Sequence, residues 1–286
     1  MPQAILGVAT LKCQGWWWRF CVRLALPRTR RSATIAGMIH LTERVRVYTG
    51  HINVGVLLAD DGAVLIDCCA DAAQAVGRLA PAGVGKVAFT HYHRDQTGGL
   101  TALASAGARV CVPEGERDLF DNVEAHWADP ARRWHLYDDH PFPPVRTTSV
   151  PVAQSYANGD TFLHGDTRVT VLHTPGHTNG SVSYLVDDDG RRVAFVGDVL
   201  CEGGRLWDIH SLQKGEEGLT DYHGFLGARA ELAESLERLR DAAPDVIVPS
   251  HGGIIQDPQG AIAALLERLE ACYDQYASVS ALRFYF

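Results

Sequence analysis

Residues 90–99 read THYHRDQTGG, which brings the imidazoles of His91 and His93, the carboxylate of Asp95 and the amide of Gln96 into one short stretch ahead of Gly98 and Gly99. Histidines two apart on a segment leaving a strand point to the same side, and a carboxylate two residues later joins them once the chain turns. The stretch therefore reads as half of a metal site. Three downstream segments offer the other half: His177 within TPGHT, Asp198 after FVG, and His251 within PSHGG. Each follows a short apolar run, at 169–172, 193–196 and 246–248. Such runs bounded by turn residues have the pattern of buried strands, so several strand ends deliver ligand-type side chains into loops.

In this order the motifs resemble the metallo-β-lactamase superfamily, whose members carry HxHxDH, a GHT-type histidine, a GD aspartate and a late histidine. The resemblance spans about residues 41–276, with one departure: Gln96 stands where the pattern usually has histidine. It implies a four-layer αββα sandwich, where periodicity alone gives only mixed α/β. It also implies that His91, His93 and His177 hold one zinc ion, that Asp95 and His251 hold a second, and that Asp198 bridges the two. Spacing alone says only that these groups can converge. Gln96 is a weak donor in this scheme, because a neutral amide oxygen binds zinc less well than imidazole does, and the second ion is expected to bind less tightly.

The activity implied is hydrolysis by zinc-bound hydroxide. The pKa of a metal-bound water falls from about 15.7 toward ~7, and the ions polarise the substrate carbonyl. Asp95 is the expected catalytic residue, orienting the water and accepting its proton. The Gly-x-Ser-x-Gly elbow of serine hydrolases is absent. Resemblance to glyoxalase II and lactonase relatives points to a small acyl substrate: a thioester, ester or lactone. One alternative is an oxidoreductase similar to persulfide dioxygenases, with a single iron held by His91, His177 and Asp198. Another is a phosphodiesterase.

A chain of 286 residues, 46% hydrophobic and 21% charged, has the makeup of a globular protein with a sizeable core. Its formal charge of -8 argues against a nucleic-acid partner, which would call for basic surface, and favours a small-molecule substrate. No apolar stretch approaches the ~20 residues of a membrane helix, so no membrane association is expected. Cys13, Cys21, Cys68, Cys69, Cys111, Cys201 and Cys272 are scattered without CxxC spacing. That suits a reducing compartment and a cytoplasmic location. Cys201 reads as a buried neighbour of the site, since Asp198 already fills the ligand position.

Residues 1–42 hold no acid and six bases: Lys12, Arg19, Arg23, Arg28, Arg30 and Arg31. A transit peptide and a twin-arginine signal at Arg30 and Arg31 are two readings of such a start, but residues 32–37 are too short and polar for a signal core. The expectation is a disordered or artefactual extension over 1–37 and a single domain over 38–286.

The elements that must position the ligands follow from periodicity. Strands are expected at 45–48, 54–58 and 63–66, then at 87–90 leading into the HxHxD loop, and at 110–112. Further strands are expected at 169–172, 181–185, 192–196 and 246–248. Helices are expected at 72–79, 100–105, 228–239 and 258–276, with Leu232, Leu236 and Leu239 on one face of the third. Asp67, after the apolar run 63–66, is placed either to bond a metal-bound imidazole or to cap the following helix. Residues 121–148, with Trp127, Trp134, Tyr137 and Phe142 among prolines, form either a cover for the core or a substrate-facing lid. A second loop, 205–223, offers an opposite wall in which His210 and His223 read as solvated or hydrogen-bonded rather than as ligands.

Overall fold

In a computed structural model of the chain, residues 37–128, 148–206 and 229–281 are described. All of them lie in the compact unit Thr34–Phe286. Two sheets form. The first contains β1 (Gly37–His40), β2 (Val45–Thr49), β3 (Asn53–Ala59), β4 (Gly62–Ile66), β5 (Val84–Ala88), β6 (Arg109–Pro113) and β7 (Gln154–Tyr156) in sequential order. The first four run antiparallel as a meander. From β4 onward the strands are parallel, and parallel neighbours require crossovers. These are α1 (Ala70–Leu79), α2 (Leu100–Ser105), and the pair α3 (Asp118–Asp121) and α4 (Val123–Ala128). The second sheet contains β8 (Thr161–His164), β9 (Thr167–His173), β10 (Val182–Asp188) and β11 (Arg191–Phe195), with β12 (Val246–Val248) parallel to β11 after the helix α5 (Arg229–Asp241). The long helix α6 (Pro258–Ala281) follows.

Alternation along the strands explains the four layers. Within β4, Val64 and Ile66 enter the apolar cluster between the sheets, while Ala63 and Leu65 enter a separate cluster with Ala72, Ala75 and Leu79 of α1 and Leu100 and Leu103 of α2. Within β11, Val193 and Phe195 face the first sheet, while Ala194 packs with Leu232, Leu236 and Leu239 of α5 and Ile262, Leu265 and Leu269 of α6. A period of two on strands buried on both faces yields a sheet-on-sheet core covered by helices outside. The αββα architecture expected from the motifs is therefore the one the chain adopts.

Three strands were not anticipated: β1, β7 and β8 are only three or four residues long and partly exposed. They sit at sheet edges, where pairing to one neighbour rather than an apolar period defines them. Within the stretch expected to be irregular, Val123–Ala128 is helical. Trp134, Tyr137 and Phe142 lie outside the described residues, as do His210, His223 and residues 1–36. Among the described residues, no helix is long and apolar enough to cross a membrane.

Tyr184, fully buried on β10, donates its hydroxyl to the carbonyl of Phe89 at 2.9 Å and so ties the second sheet to the segment that delivers the HxHxD loop. Tyr184→Phe should lower unfolding free energy by about 1–2 kcal/mol in chemical denaturation, since the carbonyl loses a buried donor. An unchanged denaturation midpoint would count against this bridge.

Candidate metal centre

The ligand-type residues gather at one end of the sandwich. His91, His93, Asp95 and Gln96 follow β5, Asp67 follows β4, His177 lies in the turn between β9 and β10, and Asp198 and His251 follow β11 and β12. Backbone bonds lock these loops together: Val182 N–H to Thr90 O at 3.0 Å, Ser250 N–H to Gly197 O at 2.8 Å, and Asn53 N–H to Ser250 O at 2.8 Å. Gly197, at φ 59°, lies so close to Thr90 that a Cβ there would stand 2.8 Å from the Thr90 hydroxyl oxygen. Only glycine accommodates both demands.

Three imidazoles meet at the centre. His93 Nδ1 lies 3.0 Å from His91 Nε2 and 2.9 Å from His177 Nε2. The rings are nearly perpendicular in every pair, at 84°, 86° and 83°. Asp198 Oδ2 completes the group at 3.5 Å from both His91 Nε2 and His177 Nε2. All four residues are buried, and their donor atoms lie within 4.8 Å of one another. A second cluster shares Asp198: His251 Nδ1 is 2.7 Å from Asp198 Oδ1, and His251 Nε2 is 3.1 Å from Asp95 Oδ2.

The orientation of His91 is set from behind. Asp67 Oδ1 accepts the backbone N–H of Thr90 at 2.8 Å, and its Oδ2 accepts the Thr90 hydroxyl at 2.9 Å. When the Asp67 carboxyl is ionised, the Thr90 oxygen accepts from His91 Nδ1, 3.0 Å away, which puts the ring proton on Nδ1 and aims the Nε2 lone pair into the cluster. Asp67 thus acts on the imidazole through Thr90. It does not cap α1, whose N-cap is Cys69 without a side-chain bond.

Gln96 turns its amide nitrogen to Asp198 Oδ2 at 3.0 Å, and its Oε1 is buried without a hydrogen-bond partner among the described residues. Two oxygens facing each other would repel, which explains the N–H toward the carboxylate. The buried Oε1, the converging nitrogens and the shared carboxylate together suit a hard-to-borderline divalent cation with nitrogen and oxygen ligands. The site residues fit the metal that the sequence implied. Cys201 is buried, burial raises its thiol pKa, and it belongs to neither of the clusters that could hold a metal among the described residues.

Sequence reasoning missed Thr90 and Asn53. Asn53 Nδ2 donates to the carbonyls of Pro249 at 2.8 Å and Gly252 at 2.9 Å, clamping the loop of His251 from both sides. Neither residue type announces chemistry. The position of Thr90 directly before the HxH motif was the one available signal.

Residues 47–251 match the metallo-beta-lactamase superfamily. The chain is 32% identical over 161 residues to a hydroxyacylglutathione hydrolase of Maricaulis maris, covering 54% of this chain and 43% of the relative. It is 30% identical over 157 residues to the acyl-coenzyme A thioesterase MBLAC2 of Homo sapiens, covering 51% of this chain and 50% of that protein. The chain thus spans about half the length of these relatives. Among solved structures, the metallo-beta-lactamase MIM-1 of Novosphingobium pentaromativorans superposes with a TM-score of 0.61 at 20% identity, covering 84% of this chain and 91% of that one. At that identity the likeness speaks for the fold.

Burial depresses the basicity of His251, but Asp198 and Asp95 outweigh it and raise its pKa to about 10. Burial works against ionisation of Asp95 too, yet His251 holds its carboxyl down at about 2. Burial also pushes Asp67 and Glu116 up to about 8. A raised histidine stabilises the fold fully below its unfolded value of 6.5 and stops doing so as pH climbs through 10. The raised carboxyls act in the same direction, losing stability as pH climbs from 3.8 for Asp67 and 4.5 for Glu116 through 8. The lowered Asp95 contributes above 3.8 and stops contributing as pH falls through 2. Chelator-treated protein should therefore melt at its highest temperature near pH 4 and at progressively lower ones from there to pH 9. A melting temperature that rises across pH 6.5–9 would contradict these assignments.

Proposed function

Because the chain belongs to the metallo-beta-lactamase superfamily, we propose that it is a zinc-dependent hydrolase of a small acyl substrate: a thioester, ester or lactone. The observation that carries this reading is the convergence of His91, His93, His177 and Asp198 beside the cluster of Asp95, Asp198 and His251. The names of the two relatives, a hydroxyacylglutathione hydrolase and an acyl-coenzyme A thioesterase, support a thioester first.

His91, His93 and His177 would hold one cation, and Asp95 and His251 a second, with Asp198 between them. When bound, such a cation supplies Lewis acidity to the substrate carbonyl and acidifies water at the site. The chain's own contribution centres on Asp95. Its side chain is 28% exposed where that of Asp198 is 2% exposed, so Asp95 is the carboxylate within reach of an entering substrate. With its pKa held at about 2, it is ionised at neutral pH and accepts a hydrogen bond from the attacking water, turning that water's lone pair toward the carbonyl carbon. His251 fixes the orientation of Asp95 through the 3.1 Å contact. As the new C–O bond forms and the C–S or C–O bond to the leaving group breaks, Asp95 takes a proton from the water and passes one to the departing thiolate or alkoxide. Gln96 donates to Asp198 instead of offering its oxygen, which supports a second cation held more weakly than the first.

A panel of thioesters, lactones, phosphodiesters and β-lactams, assayed on the full chain before and after chelation, tests the proposal. Thioester or lactone turnover should be lost on chelation and restored by zinc, and Asp95→Asn should lower kcat by about 10²–10⁴-fold. Turnover that survives metal removal, or cleavage of phosphodiesters alone, would contradict it. Oxygen uptake with a persulfide by the iron-loaded chain would point to the oxidoreductase alternative instead.

A further inference from the structure

Glu116 is a buried carboxyl that the proposed mechanism does not use. It ends the 3-10 turn Glu114–Glu116 that follows β6, and it is only 2% exposed. A carboxyl removed from water is costly unless its oxygens are bonded, so its surroundings should show what it is for. Its Oε1 accepts the hydroxyl of Thr178, the residue next to His177, and that hydroxyl also meets Ser181 Oγ. Ser181 Oγ in turn accepts the backbone N–H of Thr178 at 3.2 Å. β6, which the turn of Glu116 follows, pairs with β5, the strand that leads into the HxH segment.

One side chain carried by the first sheet is therefore bonded to the loop that supplies His177. The backbones close around it: a Cβ on Gly180 would stand 2.4 Å from Glu116 Cγ and 2.9 Å from the carbonyl carbon of Gly115. The turn of Glu116 and the loop of His177 are thus in direct contact, with no room for a side chain between them. The loops come from different sheets, and along the chain they are far apart. Without a brace, the 2.9 Å spacing of His93 and His177 would depend on backbone contacts alone.

We infer that Glu116 is a positioning residue for the first metal site: it ties the loop of His177 to the end of the first sheet, one strand from the HxH segment, so that the three imidazole nitrogens share one focus. The inference rests on the metal-site reading above and adds a group to it. Outer partners of metal ligands typically contribute about 10–100-fold in metal affinity.

The test is zinc affinity of the full chain, measured by competition with a chromogenic chelator, together with the visible absorption of the cobalt(II)-loaded protein. Glu116→Ala should weaken the tighter zinc by at least about tenfold and alter the cobalt spectrum. Glu116→Gln keeps a carbonyl oxygen for Thr178 and should recover most of the affinity. Thr178→Val should weaken binding in the same direction, and combined with Glu116→Ala its effect should be less than additive, as expected of groups acting through one bond. Leu239→Ala, a cavity variant in the outer apolar layer, controls for general destabilisation and should leave affinity and spectrum unchanged. If Glu116→Ala does not fold, Thr178→Val against Thr178→Ser carries the test, since serine keeps the hydroxyl that Glu116 accepts and should keep the affinity that valine loses. Unchanged zinc affinity in Glu116→Ala and Thr178→Val, or an equal loss in Leu239→Ala, would overturn the role of Glu116 while leaving the metal site standing. Failure of the unsubstituted chain to bind zinc would overturn both.

Discussion

Three imidazole lone pairs directed at one point repel one another, and the fold spends much of its local structure holding them there. His91, His93 and His177 approach within about a hydrogen-bond length, with Asp198 as the nearest negative charge. In water such groups would separate. Here each is buried, and together they form a donor set that could hold a divalent cation. The remaining features of the site follow from the need to keep that focus while the chain arrives from both sheets.

The sandwich meets that need by ending strands together. β4, β5, β11 and β12 all finish at the same end, and the turn between β9 and β10 opens there too. Short strand ends are rigid, while the loops beyond them are free to carry polar residues. Rigidity alone does not fix a ring's rotation or tautomer. Asp67 and Thr90 do that for His91, and Asn53 secures the loop of His251 by two side-chain bonds and one backbone bond. Asp198 is the common element, with one oxygen near His91 and His177 and the other on His251.

The sequence disclosed the ligand-type residues because histidine and aspartate beside glycine, following β-branched runs, are rarely neutral choices. It disclosed β4 and β11 because strands buried on both faces leave unbroken apolar runs. The edge strands β1, β7 and β8 escaped, since three or four residues are too few to show an apolar period. Asp67 was legible as a group near the site, but its route through the Thr90 hydroxyl was not, because hydrogen-bond direction depends on three-dimensional placement. Gln96 was read as a weak ligand, and the amide turns its N–H to Asp198, a choice set by a neighbour 102 residues away. Asn53 and Glu116 were invisible for the same reason: their partners are remote in sequence.

The central claim is most directly tested by crystallography of the zinc-soaked protein with data on both sides of the zinc absorption edge. The account predicts an anomalous peak about 2.0–2.1 Å from His91 Nε2, His93 Nδ1 and His177 Nε2 together. Zinc found only elsewhere, or bound by one of these three histidines without the other two, would contradict it.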